Sequence, residues 1–136
     1  MSSYSIEAIE GIGKVYGAKL SNIGLKTTSA LLARAATPRG RKELAEASGI
    51  DDRRILKFAN LADLMRVKGV AVQYSELLEA AGVDTVKELR NRRPDNLQAK
   101  MAEINAAKKL VRSVPSLSAV TKWVAEAKAL APVLKY

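Results

Sequence analysis

The sequence predicts an all-α fold made of two similar halves packed together. Three observations predict it. Ala and Leu, both strong helix formers, supply much of the 48% hydrophobic content, and aromatic residues only 4%. Nothing in the chain reads as a strand. A 26-residue block that starts at Ile9 recurs, without a gap, from Val67.

The recurrence organises the chain. At an offset of 58 the identical pairs are Gly11/Gly69, Tyr16/Tyr74, Leu20/Leu78, Gly24/Gly82, Thr27/Thr85, Leu31/Leu89 and Arg34/Arg92. Ordinary composition would give roughly two such pairs in a block of this length. Ile9/Val67, Ile12/Val70, Ile23/Ala81 and Leu25/Val83 keep apolar character. Pro38 and Pro94 follow the block in each half, and Leu44-Ala45-Glu46 then parallels Met101-Ala102-Glu103. The boundary therefore falls near Leu61 to Arg66, dividing the chain into residues 1–63 and 64–136. No Gly/Ser-rich linker lies there, so a helix is expected to run through the junction and the halves to pack on each other.

The elements follow from the punctuation. A short helix is expected over Ile6 to Ile9, then a tight turn at Glu10-Gly11-Ile12-Gly13. Lys14 to Ile23 forms the next helix, with Val15, Ala18, Leu20 and Ile23 available for its buried face. Gly24 stands where a left-handed residue should stop it. Thr27 or Thr28 then caps a helix that carries Leu31 and Leu32. In the second half Leu77 and Leu78 lie on the corresponding helix, Gly82 ends it, and Thr85 to Glu88 reads as a capping box. Thr37-Pro38 and Arg93-Pro94-Asp95 look like further helix starts, since Pro is tolerated in a first turn. The last helix places Leu117, Val120, Val124 and Ala127 on one face, bordered by Trp123, which reads as a packing residue.

The turn Gly11-Ile12-Gly13, followed by Lys14, carries the chemistry. Such a turn presents backbone N–H groups at the start of a helix, where the helix dipole also favours an anion. Glycine permits positive φ and lets a phosphate approach closely. Ile12 would pin the turn to the core, and Lys14 adds a mobile positive charge.

Ile9 to Gly13, with Ala18, Leu20, Gly24 and Leu25, resembles the helix-hairpin-helix motif of DNA repair and recombination proteins. The whole chain is similar to an uncharacterised bacterial family of tandem helix-hairpin-helix proteins, most specifically over Asp63 to Leu130. The resemblance implies two SAM-like helix-hairpin-helix units, the second more degenerate. It also implies that Gly11, Ile12, Gly13 and Lys14 contact DNA phosphates without reading sequence. The second copy departs from the motif at Gly69-Val70-Ala71-Val72, where Ala71 replaces a glycine and Val72 the lysine. Alanine at positive φ costs about 1 kcal/mol or more. Either this turn differs or it binds no phosphate; Arg66 and Lys68 precede it and are partial substitutes.

A second motif competes. Glu43 to Ile50, with Ile55 and Phe58, resembles a helix-turn-helix in which Asp51 to Leu61 would be the recognition helix. Its exposed start, Asp51-Asp52-Arg53-Arg54, sets two carboxylates where phosphates would lie.

The net charge of +9 points to an anionic partner. Residues 1–63 carry +3 and residues 64–136 carry +6, so the half with the degraded turn is the more basic. Arg90, Arg92 and Arg93 form one cluster; Lys100, Lys108, Lys109 and Arg112 form another. The expected site is a composite surface: Gly11 to Lys14 clamping a phosphate, with Lys68, Gly69 and one of these clusters on the backbone nearby. The alternative use of the charges is solvated helix faces and helix-dipole partners.

Catalysis is not expected. The chain has no Cys and no His, which removes thiol nucleophiles, thiolate metal sites and the commonest neutral-pH base. Asp51, Asp52, Asp84 and Asp95 read as helix-start residues. No cofactor or metal is expected. No apolar run approaches the roughly 18 residues of a membrane helix, and Met1 to Tyr4 does not open a signal peptide. The expectation is a cytoplasmic, non-enzymatic protein that binds nucleic acid, DNA rather than RNA, with a helical protein–protein adaptor as the alternative.

Overall fold

The computed structural model describes residues 3–9, 11–70 and 72–136, with Val72 and Gln73 described by their backbone alone. Glu10 of the first turn and Ala71, the residue at which the second turn departs from it, lie outside the described residues. Among the described residues a 3-10 turn, Ile6–Ala8, precedes eight helices: α1 Gly13–Asn22, α2 Thr28–Arg34, α3 Pro38–Ser48, α4 Asp52–Leu64, α5 Val72–Ala80, α6 Val86–Arg90, α7 Pro94–Lys108 and α8 Leu117–Ala129. The fold is all-α. Its one piece of extended pairing among the described residues is an isolated bridge between Ser5 and Thr27.

Ile6, Ile9 and Ile12, three residues apart, are all buried, so the 3-10 turn and the glycine turn after it hang from the core. Two bonds tie this entry segment to the α1–α2 loop: the Ile6 amide donates to Lys26 O at 2.9 Å and the Thr28 amide to Tyr4 O at 2.8 Å. α1 buries a different face from the one the spacing suggests. Val15 is 67% exposed and Ala18 is exposed, while Gly17 and Leu20 are buried and Tyr16 and Ile23 half-buried. The reason is a close crossing. The 3-10 turn lies over Gly17, where an added Cβ would come within 3.3 Å of the Glu7 side chain.

α1 ends at Gly24, at φ 90°, with the Gly24 amide bonded to Ser21 O and the Leu25 amide to Leu20 O. α5 ends in the same way at Gly82, φ 91°, with bonds to Glu79 O and from Val83 to Leu78 O. Both are Schellman closures, each completed by a buried apolar pair. Thr27 then caps α2 by accepting from the Ala30 amide, and Thr85 caps α6 by accepting from the Glu88 amide. The Glu88 carboxylate takes the Thr85 hydroxyl at 3.3 Å, so it closes on that hydroxyl rather than on the backbone amide of a full capping box.

α2 and α3 pack on α4; α5 packs on α7, and α6 and α7 on α8. α4 and α6 meet between the two groups. The expected helix through the junction stops at Leu64, and turns carry the chain through Met65 to Gly69. This is no linker, since Phe58 through Val67 are all buried. Leu61, Ala62 and Met65 join the first apolar cluster, whereas Leu64 and Val67 join the second. A helix end buried on every side serves as shared core.

The C-terminal segment crosses back. Leu134 enters the first apolar cluster, the Lys135 amide donates to Ala36 O at 2.8 Å, and buried Arg41 donates to both Ala35 O and Lys135 O. Tyr136 Oη donates to Asn60 Oδ1 at 2.8 Å. On α8, Val120, Trp123, Val124 and Ala127 are buried, but Leu117 overhangs at the helix start and is 49% exposed.

Candidate nucleic-acid interface

The first glycine turn has the backbone that the sequence requires. Gly11 lies at φ 81° and Gly13 at φ 63°, both exposed, with nothing within 4 Å of an added Cβ at either. Glycine is needed here for the dihedral angle, not for room. Ile12, only 1% exposed, anchors the turn, and its amide bonds to Ile9 O at 3.2 Å. Lys14 is exposed. Among the described residues no side chain caps the N-terminus of α1, and its first turn holds no acidic residue. By contrast Thr27, Thr37, Asp51, Thr85 and Ser116 cap α2, α3, α4, α6 and α8. The N–H groups that open α1 therefore face solvent beside a positive charge.

The second turn is contacted by its own protein, although Lys68 and Gly69 remain exposed. Gly69 keeps a positive φ of 93°, but an added Cβ would come within 3.0 Å of Trp123 Nε1. The Lys68 amide donates to both oxygens of the Glu126 carboxylate at 3.1 Å. α8 thus supplies an indole over the turn and a carboxylate where a phosphate oxygen would go. The surplus of positive charge in the second half does not make its turn an open anion site.

The two basic clusters do not form one patch. Arg90 to Arg93 precede α7, and Lys108 to Arg112 lie at and beyond its C-terminal end. The 15 residues of α7 set its ends roughly 22 Å apart. Within the first cluster, half-buried Arg92 reaches Ala81 O at the end of α5, at 3.4 Å. Arg93 pairs with Asp95 at 3.0 Å, and Arg90 lines a cavity. Arg92 and Arg93 are thus engaged within the protein. Lys108, Lys109 and Arg112 are exposed and carry no ion pair among the described residues; Lys100 pairs loosely with Glu103 at 4.0 Å. The loop they stand on has a fixed shape. Lys109 is left-handed at φ 52°, and Asn105 clamps Val111 by bonds to its amide and its carbonyl.

The helix-turn-helix segment has its turn glycine, Gly49 at φ 75°, and buried Ile50, Ile55 and Phe58. The exposed start of α4 is committed locally. Asp51 caps the helix and bonds the Arg54 guanidinium, which lies 5.2 Å from the Tyr16 ring centroid. Bonds from the backbone and side chain of Arg54 hold the Asp51 carboxyl below its ordinary value. A carboxylate kept ionised there disfavours a phosphate backbone.

Three titratable groups outside these motifs stand out. Burial raises the Asp63 carboxyl, opposed by the Arg66 guanidinium 2.8 Å away. The hydrogen bond with Asp84 and burial raise Glu88. Burial, helped by the Asp63 and Asp84 carboxylates, raises the Tyr136 phenol. Asp63 and Lys87 were absent from the sequence-based site, and Arg66 entered it only as a partial substitute at the second turn. Their signal in the sequence is faint: Lys87 and Arg90 are three apart on α6, hence on one face.

Among the described residues no group of three or more Asp or Glu is placed to hold a metal ion. No described helix is long and apolar enough to cross a membrane. Compared with known families, residues 10–130 match the model of a domain of unknown function (DUF4332). The chain belongs to this family. No curated protein matches it, and no solved structure does. The DUF4332 match spans both glycine turns and every helix, ending just before the C-terminal segment that crosses back.

Proposed function

We propose that this DUF4332 protein binds duplex DNA through backbone phosphates, without reading sequence and without catalysis. The observation that carries the reading is the uncapped start of α1: two left-handed glycines, a buried Ile12 between them and an exposed Lys14 after them. On this reading the two glycine turns belong to tandem helix-hairpin-helix units. The first is the working clamp. The second has exchanged phosphate for the Glu126 carboxylate and serves packing. Lys108, Lys109 and Arg112 supply further phosphate contacts, and Arg92 and Arg93 contribute little because they are engaged elsewhere.

The test is fluorescence anisotropy of a labelled duplex of about 20 base pairs at several salt concentrations. The reading expects sequence-insensitive binding that weakens with a log–log slope of roughly −3 to −4, as for about four phosphates. Reversing Lys14, Lys108, Lys109 and Arg112 to Glu should remove it, whereas reversing Arg92 and Arg93 should change it far less. Absence of binding at low salt would overturn the reading in favour of a protein–protein adaptor.

A further inference from the structure

A cavity beside the junction lies between α6 and the C-terminal segment, and neither glycine turn contributes to it. Its volume is about 510 Å³, within the range of small-ligand sites. Its walls are apolar: Val86 on α6, and Leu130, Pro132, Val133 and Leu134 on the returning chain. Lys87 and Arg90, one turn apart on α6, stand on its lining. The Asp63–Arg66 ion pair also lines it, with side chains only 7% and 8% exposed.

That pair is difficult to explain by stability. Burying two charges costs about as much as their attraction returns, and a well-packed apolar pair is often as stable. Arg66 also keeps an unused donor. Nη1 bonds to Asp63 and Nη2 to Ala131 O at 3.1 Å, while Nε is buried with no partner. The Arg66–Asp63 pair is neutral together, so Lys87 and Arg90 leave the lining two positive charges in excess.

We propose that this cavity binds a small amphiphilic organic anion, its headgroup held by Lys87 and Arg90 and its apolar body against Val86, Pro132 and Val133. A carboxylate and a phosphate monoester share this chemistry. The site takes in a small molecule whole, whereas a duplex meets only its rim. The proposal does not rest on the duplex reading, since Gly11 to Lys14 lie outside it.

The experiment is an amide NMR titration of the full chain with 1-naphthyl phosphate and, separately, 1-naphthoate. Uncharged 1-naphthol and inorganic phosphate serve as controls. The expected result is saturable binding of one or both anions, with shifts confined to Arg66, Lys87, Arg90, Ala131, Val133 and Leu134. Naphthol should bind about tenfold more weakly or worse, as should the anions to the Lys87→Ala/Arg90→Ala double variant. Val133→Trp, which fills the cavity without touching the charges, should also block binding. The relative affinities of the two anions distinguish the headgroups. Equal binding of naphthol, scattered shifts, or an unchanged affinity in the double variant would overturn the proposal. So would a short duplex that displaces the naphthyl anions from the same amides, which would give the cavity to nucleic acid.

Discussion

Gly40 is fixed by proximity and not by its dihedral angles. A Cβ added there would strike the carbonyl oxygen of Arg34, because α3 starts directly against the end of α2. Backbone cannot yield as a flexible side chain does, so Gly40→Ala should destabilise the protein by about 1–3 kcal/mol in thermal or denaturant unfolding. Gly11 and Gly13 have open space and only a dihedral requirement, so alanine there should cost about 1 kcal/mol each. The carboxylates divide by environment too. Asp51 and Asp95 accept bonds from arginines and backbone amides and are lowered from 3.8, so the stability they contribute is present above pH 3.8 and lost as pH falls through their folded values. Asp63 is raised by burial, so its contribution has the opposite sign: full below 3.8 and lost as pH rises through its folded value. Carboxyl-carbon NMR titration should find Asp63 above 3.8 and the other two below it; an Asp63 midpoint below 3.8 would contradict the assignment.

At the scale of elements, most of the helices were legible because their ends are written in side chains. Gly24 and Gly82 close α1 and α5; Thr27, Thr37 and Thr85 open α2, α3 and α6. Thr27→Ala and Thr85→Ala should each cost about 1 kcal/mol, read as a shift in the unfolding midpoint. Helix faces were less legible. Val15 and Leu117 fit an apolar period yet lie exposed, since what approaches a helix is settled by its neighbours: Gly17 admits the 3-10 turn over α1. The contact of α8 with the second turn was not legible at all. Glu126 and Trp123 lie more than fifty residues from Lys68 and Gly69, and no local pattern announces the pairing. Trp123→Ala should be costly, about 3–5 kcal/mol, because it empties a buried indole site at that turn.

Across the whole molecule, the two halves are joined by burial on both sides of one helix end and by the returning C-terminal segment. The sequence read Leu61 to Arg66 as a packed junction through the absence of any linker composition, and these residues are buried. It did not indicate that residues 130–136 return to the first core, because Leu134 belongs to no periodic face. Leu134→Ala should cost about 2–5 kcal/mol and loosen the bonds that Arg41 and Ala36 make to Lys135. Net charge was legible from composition, but its usable part was not. The Arg90–Arg93 and Lys108–Arg112 clusters fall at opposite ends of α7, and only the latter is exposed without ion pairs among the described residues. The measurement that tests the central claim most directly is an amide NMR titration with a short duplex at low salt. The account predicts shifts at Gly13, Lys14 and Val15 that saturate with the duplex, while Lys68 and Gly69, held against Glu126 and Trp123 of α8, stay unmoved. Saturable shifts at Lys68 and Gly69 with none at the start of α1 would contradict it.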